Sequence, residues 1–271
     1  MKDAMQEFFA EQKFIPSKKL GQNFLINEHL CTEIVAAIDQ KGIDCVVEIG
    51  PGLGAISQHL VQKPWAYIGI ELDKRLYSFM RKKYGQLPNV QLINQDVLRV
   101  DFRQLLKQYS QPIIVSNLPY AISSLVMLNF LKNKQINTMY VMLQKEMVER
   151  ISALPKHKQY NNLSALMQYY CRIEKLFNVN ANNFYPVPLI DSIVIKLTKN
   201  EHPYDFKFDK FLQLAFHAKR KTLFNNLKGT YFSAQLSLIM NELKINQLVR
   251  AEALTSEQLY LLYTKITLPN Q

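Results

Sequence analysis

Between residues 45 and 154 the chain alternates short apolar runs with longer stretches in which apolar residues return every three or four positions. Cys45-Val46-Val47, Tyr67-Ile68-Gly69-Ile70, Val90-Gln91-Leu92-Ile93 and Ile113-Ile114-Val115 have strand length and are rich in β-branched residues. The segment after the first run, from about residue 55 to 62, has helical spacing. This rhythm predicts an α/β fold: a parallel, Rossmann-like sheet covered by helices. Residues 163–171 predict a further helix, and residues 175–179 and 192–197 predict strands that close the sheet. Lys199-Asn200-Glu201-His202-Pro203 is polar and proline-punctuated, the composition of a boundary. Beyond it, residues 208–228 and 256–264 repeat apolar positions at helical spacing. Two domains are expected, an α/β domain over 1–200 and a small helical domain over 201–271.

The ends of the strands carry the candidate chemistry. The first strand runs through Glu48 into Gly50-Pro51-Gly52-Leu53-Gly54, a turn whose glycines let backbone approach a ligand closely. Gly50, Gly52 and Ala55 also fit the small positions of the nicotinamide fingerprint, so the turn alone serves either cofactor. Glu48 beneath it would repel a pyrophosphate and attract the ammonium and sulfonium of S-adenosylmethionine. Glu71 ends the next strand about twenty residues on, where a carboxylate accepts from ribose hydroxyls, and Asp96 ends the third, in reach of an adenine amine. Asn117-Leu118-Pro119-Tyr120 follows the fourth strand. An amide oxygen at Asn117 accepts from an exocyclic amine, Pro119 fixes the turn and Tyr120 offers a stacking surface. Each piece is also an ordinary turn or a solvated strand-end charge. All four together on successive βα units point to one crevice.

In order, these residues resemble the ribosomal RNA adenine dimethyltransferases. The resemblance begins at Leu20-Gly21-Gln22-Asn23-Phe24-Leu25 and includes Glu48 to Gly54, Glu71, Asp96, Asn117 to Tyr120 and Gln144-Lys145-Glu146. It continues through Phe184-Tyr185-Pro186-Val187-Pro188, Asp191-Ser192 and the region of Phe216 with Lys219-Arg220-Lys221. It covers nearly the whole chain. It departs at Leu125, at Ala55 and Ser57, and over 155–162, which lacks the family's usual glycines. The resemblance implies a class I methyltransferase fold that uses S-adenosylmethionine, bound by Asn23, Leu25, Gly50, Glu71, Asp96 and Asn117. It implies that Asn117 and the Leu118 carbonyl orient an adenine N6, with Tyr120 and Phe184 stacking on the extruded base. It implies an antiparallel closing pair and a lead-in segment over residues 1–30 that folds across the cofactor. The substrate would be two adjacent adenosines in the 3′-terminal hairpin of 16S rRNA in an immature small ribosomal subunit. Lys219, Arg220 and Lys221, fanning around a helix, cannot all face one phosphate row, and at least two are expected to contact phosphates rather than remain a solvated charge run.

Composition agrees. Thirty-three Lys and Arg against 22 Asp and Glu give a net charge of +11, which favours a polyanionic partner. Cys31, Cys45 and Cys171 cannot all pair and read as reduced thiols, and the five histidines show no metal-ligand spacing, so no metal is expected. Neither a membrane span nor an apolar signal core is visible. A cytoplasmic monomer is expected. A nicotinamide oxidoreductase, a DNA adenine methyltransferase, the macrolide-resistance methyltransferases of large-subunit RNA, an assembly factor whose methylation is incidental, and a mitochondrial-type transcription factor descended from the same fold are the alternatives.

Overall fold

The computed structural model describes residues 2–17, 20–39 and 41–267, with side chains from residue 5 onward. The chain forms two compact units. The first is built on a seven-stranded sheet whose strands are, in chain order, β1 Cys45–Ile49, β2 Ala66–Glu71, β3 Val90–Asn94, β4 Pro112–Asn117, β5 Thr138–Gln144, β6 Cys171–Val179 and β7 Ser192–Lys199. Their order across the sheet is 3-2-1-4-5-7-6. The first five run parallel, and β7 pairs with β5 antiparallel, Gln144 opposite Ser192. The central strands are apolar on both faces because helices cover both faces: every residue of β1 is buried, including Val46 and Val47. Burying each such side chain contributes about 1.5–3 kcal/mol.

Helix α4 (Lys74–Tyr84) shows how sequence sets a covering element. Asp73 caps it by accepting from the Arg75 N–H at 2.9 Å, and Leu76, Met80 and Tyr84, spaced four apart, form its buried stripe. The strand order reverses between β1 and β4, so the carboxyl ends of β1, β2, β3 and β4 open onto a common crevice.

Two expectations change here. The helix expected over about 55–62 is only α3, Ser57–Leu60, because three alternate glycines with positive φ (Gly50, Gly52, Gly54) extend the turn before it. The lead-in segment contains a helix that periodicity did not announce, α1 (Lys2–Glu11), followed by a two-stranded ribbon in which Phe24 pairs with Tyr185 and Leu25 with Phe184. Residues 1, 18 and 19 of that segment lie outside the described residues. Phe8, Phe9, Phe14 and Phe24 pack as an aromatic cluster, with the Arg75 guanidinium 4.2 Å over the Phe14 ring.

The second unit does not begin at residue 201. It combines residues 146–172 with 200–271, because α8 (Asn162–Tyr170) packs against the C-terminal helices rather than on the sheet. Those helices are α9 (Phe206–Ala215), α10 (Leu223–Leu227), α11 (Ser233–Glu242) and α12 (Ser256–Thr267). Their core is aromatic: Tyr169 stacks on His202 and Tyr260, and Phe208 meets Tyr260 edge-on. The continuous helical pattern expected over 208–228 is broken between α9 and α10, so Lys219-Arg220-Lys221 lie in a turn and not around a helix.

Candidate active site

A cavity of about 410 Å³ opens at the carboxyl ends of β1 to β4. Asn23, Leu25, Gly50, Glu71, Asp96, Asn117, Leu118 and Tyr120 all line it, so eight of the nine expected cofactor and base residues meet at one place.

The glycine turn is held from beneath. Gly50 N–H donates to the Ile70 carbonyl at 2.9 Å, Gly52 N–H to Glu71 Oε2 at 3.0 Å, and Gly54 N–H to the Pro51 carbonyl at 2.8 Å. All three glycine amides are therefore engaged within the protein. A pyrophosphate needs such amides free, and the nicotinamide reading finds none of these three available. The turn instead provides room: a Cβ on Gly50, at φ +67°, would meet nothing within 4 Å, and Gly50 lines the cavity. Gly52 is closed in differently, its Cβ position lying 3.3 Å from the Phe24 ring.

Glu71 accepts from two backbone amides, Gly52 through Oε2 and Asp73 through Oε1 at 2.9 Å. Burial raises its pKa against those two hydrogen bonds. A carboxylate offers about four acceptor directions, so two remain for hydroxyl donors. Asp96 accepts from the Leu98 N–H through Oδ1 at 2.9 Å, and Oδ2 has no partner among the described residues. Glu48 is buried at 2% exposure, where the Ser57 and Tyr67 hydroxyls donate to Oε2 at 2.5 and 2.7 Å. Burial pushes its carboxyl up to about 7 despite those donors. It lies under the turn as expected, and it is tied to α3 and β2.

At the end of β4, Ser116 Oγ donates to the Ile49 carbonyl at 2.6 Å and locks β4 to β1 beside the glycine turn. Asn117 Nδ2 donates to the backbone oxygen of Asn23 at 3.2 Å, and Asn23 Nδ2 donates to the Gly21 carbonyl at 3.3 Å. Asn117 Oδ1, the acceptor end, takes no hydrogen bond among the described residues. Leu118 is buried at 1%, so its backbone rather than its side chain is the group offered. Pro119 opens the short 3-10 turn Tyr120–Ile122, and Tyr120 is half-buried at the cavity wall. Gly21, at φ +62°, lies against this turn: a Cβ there would be 3.4 Å from Pro119 Cβ.

Phe184 is the exception. It is 1% exposed, belongs to the main hydrophobic core and does not line the cavity. Its pairing with Leu25 in the two-stranded ribbon holds it behind the wall, so of the two rings expected to stack on a base only Tyr120 faces the cavity. Conversely, Met5 and Phe8 line the cavity although the sequence reading did not single them out. Their three-residue spacing at the start of the chain was the available signal. Gln22 belongs to the Leu20-Gly21-Gln22-Asn23-Phe24-Leu25 motif. It anchors the lead-in by accepting from Ser17 N–H through Oε1 at 2.7 Å and donating to Asp73 Oδ2 at 3.1 Å.

In the helical unit, Lys219, Arg220 and Lys221 are all exposed, and Lys219 Nζ donates to the Lys158 carbonyl at 3.0 Å. Among the described residues no cluster of His, Cys, Asp or Glu suits a metal ion, and no helix is long and apolar enough to cross a membrane.

Comparison with known proteins matches this arrangement to one family. The sequence pattern of the family described as ribosomal RNA adenine dimethylase fits residues 15–268. A ribosomal RNA small subunit methyltransferase A from Ureaplasma urealyticum serovar 10 is 41% identical over 260 residues, covering 93% of this chain and 92% of that one. The protein of the same name from Mycoplasma genitalium is 36% identical over 254 residues, covering 93% and 97%. Among solved structures, a dimethyladenosine transferase from Plasmodium falciparum superposes with a TM-score of 0.77 at 24% identity, covering 88% of this chain and 95% of that one. The 23S rRNA methyltransferase ErmE superposes at 0.69 with 20% identity, covering 90% and 99%. The fold is that of the class I methyltransferases.

Proposed function

This chain belongs to the ribosomal RNA adenine dimethylase family, and from that premise we propose that it transfers methyl groups from S-adenosylmethionine to N6 of two adjacent adenosines in the 3′-terminal hairpin of 16S rRNA. The donor fits the residues present. The open Cβ position of Gly50 leaves space for it, and Glu71 and Asp96 keep acceptors for hydroxyl and amine donors. When bound, it supplies an electrophilic methyl group with a neutral leaving group, so the protein needs to contribute alignment more than acid–base chemistry.

The observation that carries the reading is Asn117. Its Nδ2 is held by the Asn23 carbonyl, so the amide cannot turn freely and Oδ1 is the end left for a substrate N–H. Adenine N6 is a poor nucleophile because its lone pair is delocalised into the ring. With Asn117 Oδ1 accepting one N6 proton and the Leu118 carbonyl the other, the nitrogen pyramidalises and presents its lone pair. Tyr120 stacks on the base, which must leave its helix to enter. For the second transfer only one N6 hydrogen remains, so orientation rests on a single acceptor and on Tyr120.

The substrate is rRNA within an immature small subunit, the enzyme acts as a cytoplasmic monomer, and the helical unit docks on RNA through Lys219, Arg220 and Lys221. The charge of +11 and the exposure of the triplet support that docking. Digesting reacted small-subunit RNA and mapping the fragments by mass spectrometry tests the assignment. Four methyl groups on two adjacent adenosines near the 3′ end are expected; methylation at any other position would refute it.

A further inference from the structure

Residues 158–162, within the stretch where the sequence departs from its family, form one wall of a cavity of about 370 Å³ that lies entirely in the helical unit. Phe216, Ala218, Lys219 and Lys221, from the turn after α9, form another wall. The shape is built in advance. Asn226 Nδ2 donates to the carbonyls of Ala215 and Ala218 at 2.8 and 3.3 Å, and its Oδ1 accepts from the Ala218 N–H at 3.3 Å. The Lys219 to Lys158 hydrogen bond then bridges wall to wall.

Its electrostatics are unbalanced. Two of its cations are answered by carboxylates, Arg150 by Glu146 at 2.6 Å and Arg250 by Glu252 at 3.8 Å. Lys158, Lys219 and Lys221 have no ion-pair partner among the described residues, so three like charges converge on a concave surface. Gathering like charges costs energy that an anion bound among them would recover. An aromatic surface lies within the same cavity: the Phe216 ring is half-buried and braced edge-on by Tyr160, which is 1% exposed, with centroids 5.9 Å apart. Asn162, also in the wall, offers a side-chain amide for a base edge.

We propose that this cavity binds one unpaired nucleotide of the RNA substrate, its phosphate on Lys158 and Lys221 and its base against Phe216. The inference rests on RNA docking by the helical unit and adds the form of the RNA. A double helix presents its phosphates on a convex surface that cannot enter a concavity of this size, whereas a single nucleotide is of the scale that such pockets enclose. Basic groups beside a braced ring and an amide are the combination that holds splayed-out bases.

Fluorescence titration of the protein tests this with two RNAs, a fully paired blunt-ended duplex and the same duplex carrying one bulged 2-aminopurine. Wild-type protein should bind the bulged RNA about tenfold more tightly, the order of one stacked base, and quench its emission. Phe216→Leu should bring the bulged RNA down to the affinity of the paired one and abolish the quench. Lys158→Gln, a change at an exposed side chain, should lower the salt slope for the bulged RNA by about 1. Equal binding of both RNAs by the wild type, or a quench that survives in Phe216→Leu, would overturn the pocket while leaving RNA docking intact. Failure of the wild type to bind either RNA would overturn both.

Discussion

Asn117 and Asn23 are 94 residues apart in sequence and joined by one hydrogen bond, Nδ2 to backbone oxygen at 3.2 Å. That bond couples the base-orienting turn after β4 to the lead-in segment that closes the cofactor cavity. On the proposed function Asn117 has two tasks, one for each end of its amide. Asn117→Ala removes both, and turnover should fall by about 10²-fold, the scale of losing one positioned hydrogen-bonding group in an active site. Cofactor affinity should fall far less, because Gly50, Glu71 and Asp96 remain. Single-turnover rates with cofactor titration separate the two effects; equal losses in both would contradict the assignment.

Glu71 holds the glycine turn through Gly52 and is the carboxylate proposed to accept ribose hydroxyls. Glu71→Ala should weaken S-adenosylmethionine binding by about 1–3 kcal/mol, the range for hydrogen bonds to a charged group. Asp96→Ala should weaken it less, since an adenine amine offers it one donor where the ribose offers Glu71 two hydroxyls. Calorimetry on both variants checks the order, and an unaltered affinity in Glu71→Ala would remove the ribose site from this residue.

Gly50→Ala separates room for ligand from stability. The added Cβ meets no protein atom, so the variant should fold with a loss of about 1 kcal/mol from the positive φ alone. Cofactor binding should suffer more than stability does. Thermal unfolding beside binding shows whether the space belongs to the ligand; full affinity in a folded variant would say that it does not.

The pH dependence of stability should show Glu48. Burial holds its folded-state value at about 7, above the value of about 4.3 for an unfolded glutamate, so folding favours the neutral carboxyl. That contribution is fully present below about pH 4 and is lost as pH rises through 7. Relative to Glu48→Gln, which cannot ionise, the wild type should lose on the order of 3 kcal/mol between pH 4 and pH 8. Urea unfolding of both proteins at the two pH values measures it, and a constant difference would contradict the buried, uncharged state.

Phe184→Ala should act through the core. The side chain is fully buried behind Leu25, so its loss should cost about 3–5 kcal/mol of stability. Tyr120→Ala is the variant that should let monomethylated adenosine accumulate, because Tyr120 lines the cavity. Nucleoside analysis of both variants distinguishes them; accumulation with Phe184→Ala in a stably folded protein would return that ring to the site.

Much of this was legible in the sequence because the β-strands of a doubly wound sheet announce themselves as apolar runs, and their ends must converge. Glu71, Asp96 and Asn117 could be placed in one crevice on that ground alone. Phe184 could not, since nothing in Phe184-Tyr185-Pro186-Val187-Pro188 says which ring of a two-residue ribbon faces inward; that is fixed by pairing with Phe24 and Leu25, far away in the chain. The helix expected through Lys219 to Lys221 failed for a local reason. The periodicity continues past Ala215, but Asn226 bonds to the carbonyls of Ala215 and Ala218 and stabilises a turn there. The second unit's recruitment of residues 146–172 is likewise a matter of packing, which an amphipathic pattern announces without naming the partner.

The most direct test of the account is to incubate the protein with labelled S-adenosylmethionine and small subunits whose RNA lacks these methyl groups, then identify the nucleoside that carries the label. N6,N6-dimethyladenosine, formed by the wild type and lost in Asn117→Ala, is the predicted result. Label on any other nucleoside, or dimethyladenosine that persists undiminished in Asn117→Ala, would contradict it.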